Sequence, residues 1–356
     1  MKVLSYTERM QNSRGSIMMM CGYVMLMGAT LVGASSPLET RFPSIADSSL
    51  TWAEVIQQDP DPKIISDAKL RDRIKATGLP WRVRDKLTDI EMLLVPPGKF
   101  AMGMSPEDEM AANDEKPTHD VTITEPFYLG RTEVTNKQWN AVMSSASEVQ
   151  KIEAAKRNKL IEKYQGEGLT KQEAQDKADA QPATQKKDLA AHPIAGVSWE
   201  DCKKFCEMAR MKLPTEAQWE YACRAGVRKK TYGAIASVAW IKDNSANGAT
   251  RAVALKVPNA LGLYDMLGNV YEWCEDIYDG EYYKSCENGV VDPSGPAGGK
   301  EIRNHVLRGG SWRHGPFNAR ASQRNGDEAP EQPNFYVGFR VTRSVGGATK
   351  GVNVTK

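Results

Sequence analysis

From residue 92 onward, beginning with "MLLVPPGKFAMGM" (92–104), short apolar strand-like runs alternate with glycine, proline and asparagine turn signals. Three helices interrupt this pattern, each announced by its cap. Thr135 with Gln138 opens "NKQWNAVM", Ser198 with Asp201 opens "WEDCKKFCEMA", and Thr215 with Gln218 opens "EAQWEYACRAG". In each, a hydroxyl can accept from a first-turn amide while the later side chain reaches back to the cap. Gly226 follows the third helix where a left-handed stop is needed. Between the first two helices lies a charged block, residues 144–190, with sparse apolar positions and a Thr170–Glu173 capping box. It reads as a solvated helical hairpin inserted in a surface loop. The whole predicts an α+β domain over residues 90–345, followed by a flexible tail, 346–356.

The N-terminal region follows other rules. Lys2, Arg9 and Arg14 precede an apolar run from Ile17 to Val32 and then small residues, the pattern of a secretory signal over residues 1–34. An uncleaved anchor is the alternative, but the run falls short of the ~20 residues a spanning helix needs. Cys21 lies inside the run, which argues against a lipid-anchored N-terminus. The expectation is export, to a periplasmic or extracellular location, with no integral membrane segment once the signal is removed. Residues 35–89 are charged and proline-punctuated, with one short helix around "DAKLRDRIKA", and read as a stalk or linker.

Charge narrows the partners. Lys plus Arg total 47 against 45 Asp plus Glu, a net charge of +2, and no basic stripe is visible, so nucleic acid is not an expected partner. The 29 glycines, 19 prolines, eight tryptophans and twelve tyrosines favour a loop-rich fold braced by aromatic clusters. Export changes how the cysteines read: Cys202, Cys206, Cys223, Cys274 and Cys286 remain after the signal, an odd number, so at least one thiol stays free. Cys274 and Cys286 are the expected bridge. The histidines His119, His192, His305 and His314 form no close-spaced ligand set, and there is no G-x-S-x-G, H-E-x-x-H or Gly-rich phosphate loop.

Two stretches carry candidate chemistry. In "ALGLYDMLGNVYEWCED" (260–276), Asp265 and Glu272 bracket a tight turn at Gly268 and Asn269, a mix of hard oxygens suited to calcium. A turn whose Asp and Asn satisfy their own backbone fits the same residues equally well. The second stretch, "LRGGSWRHGPFNARASQRNGDEAPEQPNFYVGFRV" (307–341), sets arginines among aromatics as a binding wall would, and contains no cysteine.

The ordered motifs "PFYLGRTEVTNKQW", "HPIAGVSWEDCKKFC", "KLPTEAQWEYACRAG", "PNALGLYDMLGNVYEWCED", "LRGGSW" and "GFRV" resemble the formylglycine-generating enzyme, or sulfatase-modifying factor, family over about residues 90–343. The resemblance implies a C-type-lectin-like fold, with little regular secondary structure and structural calcium. It implies one calcium site formed by Asp265, Glu272 and the carbonyls of Gly268 and Val270. At a second family site Asn244 matches one ligand, but Ala254 stands where an aspartate can occur. In enzymatic members, copper held by two cysteines uses oxygen to convert a sulfatase cysteine to formylglycine. Those cysteines lie shortly after "GGS". Here the places fall at about His314 and near Phe317 to Ala319, and no cysteine follows Cys286. Copper(I) needs soft thiolates, so copper is not an expected cofactor. Ala321 and Val341 occupy the places of the cysteines that, in some relatives, bridge to the equivalents of Cys206 and Cys223.

What the resemblance retains is a cleft with Trp312, Arg320, Arg324, Asn325 and Tyr271 at or near its wall, suited to a peptide or carboxylate. For the two arginines, the alternative is that they tie the C-terminal strands to buried carboxylates. The reading is an exported, non-oxidase binding or accessory protein whose partner is a sulfatase or another exported protein or peptide. The alternative is a divergent formylglycine-generating oxidase.

Overall fold

A computed structural model describes residues 50–144, 158, 161–179, 189–245, 248–297 and 304–345. The signal segment and the C-terminal tail lie outside the described residues. In chain order the strands and helices are β1 (Ala53–Gln57), α1 (Ala68–Lys75), β2 (Arg82–Asp85), β3 (Glu91–Val95), β4 (Gly98–Met102), β5 (His119–Ile123), β6 (Phe127–Gly130) and α2 (Asn136–Met143). Then come α3 (Lys171–Asp179), α4 (Trp199–Ala209), α5 (Glu216–Arg224), α6 (Ile235–Val238), β7 (Ala239–Trp240), β8 (Leu267–Gly268) and β9 (Tyr271–Ile277). The chain closes with α7 (Tyr282–Ser285), β10 (Val290–Val291), β11 (His305–Arg308), β12 (Arg324–Asn325), β13 (Val337–Gly338) and β14 (Thr342–Ser344). Short helices on small sheets make the α+β architecture that the sequence predicts.

The largest sheet runs β1-β2-β3-β6-β14. Here the reading of residues 35–89 as a stalk is corrected from residue 50 on. β1 and β2 form the sheet's edge, with Val83 facing Met92, while Arg82 and Arg84 turn outward to share Glu91. Ile65, Leu70, Ile74, Leu79 and Trp81 are buried in the main core. The few apolar residues in this charged stretch sit at strand spacing around Val83 and four apart at Leu70 and Ile74, so sparse composition concealed one buried face.

The three capping boxes form as predicted. Thr135 N accepts nothing but donates to Gln138 Oε1 at 2.9 Å, Ser198 Oγ bonds Asp201 at 2.7 Å, and Thr215 N donates to Gln218 Oε1 at 3.1 Å. The stop after α5 begins one residue earlier than expected, since Ala225 is already left-handed (φ 47°) before Gly226. Trp139 of α2 stacks on Phe205 of α4 at 5.5 Å, and Phe205 meets Phe339 edge-on, joining these helices to the C-terminal strands. In the inserted block, residues 161–166 and α3 are helical and share a small cluster of Ile161, Tyr164 and Ala174. Thr170 caps α3 through Glu173.

The expected Cys274–Cys286 bridge is absent: among the described residues all five cysteines are buried free thiols. The Cys286 thiol instead faces the Tyr282 carbonyl at 3.5 Å. Among the described residues no helix is long and apolar enough to cross a membrane.

Candidate functional site

The sheet β12-β11-β9-β13 assembles the site, because β9 pairs antiparallel with β11 and parallel with β13. These pairings bring three separated motifs side by side: Tyr271 and Glu272 of β9, the "GGSW" turn after β11, and "GFR" after β13.

The turn before β9 is held by a residue that sequence reasoning missed. Gly268 has φ 79°, and a Cβ there would collide with the Trp240 backbone, so glycine is required. Glu133 is wholly buried; it accepts from Asn269 Nδ2 at 3.0 Å and from the Val270 amide at 3.2 Å. Asp265 and Ala254 both adopt positive φ and are joined by the Ala254 amide donating to Asp265 Oδ2 at 2.7 Å. Glu272 receives Arg340 Nη2 and Nε, each at 2.6 Å, and Trp219 Nε1 at 2.7 Å.

This geometry tests the calcium expectation. Three buried carboxylates, Glu133, Asp265 and Glu272, lie within the field of the Arg340 guanidinium, which hydrogen-bonds Glu272. Burial and the neighbouring carboxylates hold Glu133 well above the usual range, and burial pushes Asp265 up to about 6. Asp265 Oδ1 is buried without a partner, as a cation ligand could be. Glu272 does not fit, because its oxygens already accept three N–H groups. At Glu272 the residues present fit a guanidinium, which counts against the calcium set of Asp265, Gly268, Val270 and Glu272 that the resemblance implies. Among the described residues no group of three or more His, Cys, Asp or Glu side chains is arranged to hold a metal ion.

Arg320 and Arg324 are corrected as well: neither lines an open wall. Arg320, 3% exposed, pairs with Asp108 and grips Glu115 with two donors at 2.6 and 2.8 Å. Arg324, 4% exposed, grips Glu216 with Nε at 2.6 Å and Nη2 at 3.0 Å, its guanidinium lying 4.1 Å from the Tyr283 ring. Both are forked ties between distant segments, and a buried guanidinium needs such partners. Asn325 is half-buried in β12, where its Oδ1 accepts the Asp327 amide at 3.0 Å.

Tyr271 and Trp312 do belong together, within an aromatic face. Tyr271 lies beneath, 1% exposed, its hydroxyl bonded to Gln323 and its ring edge-on to His314 at 5.1 Å. His314 meets Tyr336 at 4.9 Å, and Tyr336 meets Phe335 at 5.3 Å. Phe335 is 54% exposed and lies 5.9 Å from Trp312. Arg313, exposed, places its guanidinium 4.9 Å over Phe335 and is the accessible cation here. Phe335 and Tyr336 were present in the quoted stretch, but nothing in their spacing joins them to Trp312; β13 pairing does. Backbone bonds fix the frame, with the Trp312 amide donating to Asn269 and the Lys242 amide donating to the His314 carbonyl.

The positions where copper thiolates would sit carry other chemistry. His314 Nδ1 shares a 2.7 Å hydrogen bond with Ser311 Oγ, and burial, then the charge of Arg313, lowers its pKa. Phe317 is exposed and Ala319 is buried. Burial raises the Cys202, Cys206, Cys223 and Cys274 thiols, Cys206 and Cys223 to about 12, which leaves them poor thiolates.

Residues 82–345 match the sulfatase-modifying factor enzyme 1-like domain. A serine/threonine-protein kinase, pkn1, of Chlamydia pneumoniae is 31% identical over 255 residues, covering 72% of this chain and 38% of that protein. The chain thus spans about two fifths of that relative's length. Formylglycine-generating enzyme of Streptomyces coelicolor is 29% identical over 288 residues, covering 69% of this chain and 87% of the enzyme. The inactive Cα-formylglycine-generating enzyme 2 of Mus musculus is 28% identical, covering 72% and 87%. Among solved structures, PvdO from Pseudomonas aeruginosa superposes with a TM-score of 0.55 at 26% identity, covering 74% of this chain and 97% of PvdO.

Proposed function

The chain belongs to the family of sulfatase-modifying factor enzyme 1-like domains, and from that premise we propose that it is an exported binding or accessory protein that recognises a peptide or carboxylate without oxidising it. One observation carries the reading: the segment after "GGS", where the family's copper chemistry requires two thiolates, presents His314 in an aromatic frame and no cysteine. A single imidazole tied to Ser311 cannot replace two soft thiolates. What the face does offer is area and one charge. Trp312, Phe335 and Tyr336 supply rigid aromatic contact, and Arg313 supplies a cation for an acidic side chain or a terminal carboxylate.

A sulfatase, or another exported protein, is the proposed partner class. The similarity to an inactive formylglycine-generating enzyme supports a role without catalysis, while that to an active one supports recognition of the same class of peptide. Burial of the described thiols is compatible with an oxidising compartment, since thiols with raised pKa resist oxidation.

Calorimetric titration with a synthetic cysteine-containing sulfatase-motif peptide tests this. The expected result is saturable binding that weakens in Trp312→Ala and Arg313→Ala while both variants melt as wild type does. Binding that ignores both substitutions, or no binding at all, rejects the reading.

A further inference from the structure

Outside the aromatic face, a cavity of about 240 Å³ lies between α1, β4 and the end of α5. That is room for about eight liquid waters. Its wall combines an apolar side, including Leu70, Phe100 and Leu261, with the cations Arg73, Lys99 and Arg228. Asp67 also lines it, with its carboxylate capping α1 through the Lys69 amide at 2.9 Å. Arg224 reaches the wall too, but its charge is spent on Glu220 at 2.8 Å.

The rim cations are not so spent. Among the described residues Arg73, Lys99 and Arg228 form no ion pair with a carboxylate. Arg73 is nevertheless held in place, because Nη2 donates to Tyr221 Oη at 2.6 Å and to the Pro97 carbonyl at 2.7 Å. Tyr221 passes the constraint on by donating to the Pro96 carbonyl at 3.0 Å. A guanidinium oriented by neutral oxygens keeps its charge for a ligand, and it loses little freedom when one binds. Gly98 makes this possible: any Cβ there would overlap Arg73 Nη2.

Asp67, Leu70 and Arg73 precede residue 82, where the family match begins. The segment before the match therefore forms one wall of this cavity. We propose that the cavity binds a small organic oxyanion, a carboxylate or phosphate carried on a short apolar body. The head group meets Arg73, Lys99 and Arg228, and the body lies along Leu70, Phe100 and Leu261. The site shares no residue with the aromatic face, so it stands or falls separately from the proposed function.

Octanoate and phenyl phosphate are the probes, with 1-octanol and inorganic phosphate as controls, titrated calorimetrically into the full chain. The expected result is that octanoate or phenyl phosphate binds with Kd below about 1 mM, and whichever binds tells carboxylate from phosphate. Neither control should match it. The doubly substituted Lys99→Glu, Arg228→Glu protein, altered only at exposed positions, should lose about tenfold in affinity with an unchanged unliganded melting temperature. Absence of binding by both probes, equal binding by a control, or undiminished binding in the double variant each overturns the proposal. Gly98→Ala gives an independent check, since displacing Arg73 should weaken the same probe.

Discussion

Arg340 and Glu272 form a buried, two-pronged ion pair, with Nε and Nη2 each 2.6 Å from a carboxylate oxygen. It locks "GFR" after β13 to the start of β9, and it supplies from within the chain a positive charge that the sequence assigned to calcium. Removing one partner strands the other in the core, so Arg340→Leu should cost about 3–5 kcal/mol in urea unfolding. Chelator treatment should leave the wild-type melting temperature where it was. A clear drop on chelation would restore the calcium reading.

Arg324 and Arg313 should separate stability from recognition. Arg324 is clamped to Glu216 between the rings of Tyr278 and Tyr283. Arg324→Ala should therefore destabilise by about 3–5 kcal/mol. Arg313→Ala, on the surface, should change stability by less than about 0.5 kcal/mol while weakening peptide capture by about 1–3 kcal/mol. Paired denaturant melts and titrations read both quantities, and a reversal of the pattern would put Arg324 back at the binding wall.

Asp276 makes a pH prediction. Burial, then the neighbouring Glu216, pushes its carboxyl up from 3.8 to about 8, although it accepts the Glu216 amide at 2.9 Å. Arg324 pulls the other way, and Glu275 adds to the rise. A pKa raised on folding favours the folded state fully below the unfolded value and loses that contribution as pH rises through the folded one. Asp276→Asn should thus gain on wild type between pH 5 and pH 8, by at least about 1 kcal/mol. A stability difference that stays constant with pH would show that Asp276 does not titrate there.

Trp312 tests the aromatic face itself. Trp312→Ala should cost about 2 kcal/mol of peptide affinity, because the ring spans the gap between the "GGSW" turn and Phe335. Phe335→Ala should cost less when combined with it than alone, since the two rings share one contact. Strict additivity in that double-mutant cycle would mean that they do not act as one surface.

What the sequence disclosed and what it hid follow from range. The capping boxes at Thr135, Ser198 and Thr215 depend on residues three apart, and all three were legible. So was the tight turn at Gly268 and Asn269, though the Trp240 backbone that requires glycine at 268 was not. The partners of Arg320 and Arg324 lie at Asp108, Glu115 and Glu216, roughly a hundred to two hundred residues away, where spacing carries no signal. The same holds for Glu133, which reaches the turn from 136 residues away. Residues 50–89 look, by composition, like a linker because a strand that buries one face in four residues carries few apolar side chains.

Anaerobic titration of the purified full chain with copper(I), followed by incubation with oxygen and a sulfatase-motif cysteine peptide, tests the central claim most directly. With His314 in the thiolate place and the described cysteines buried, the protein should take up no stoichiometric tightly bound copper(I) and should leave the peptide's cysteine unconverted. One equivalent of tightly held copper(I), with formylglycine appearing in the peptide, would contradict it.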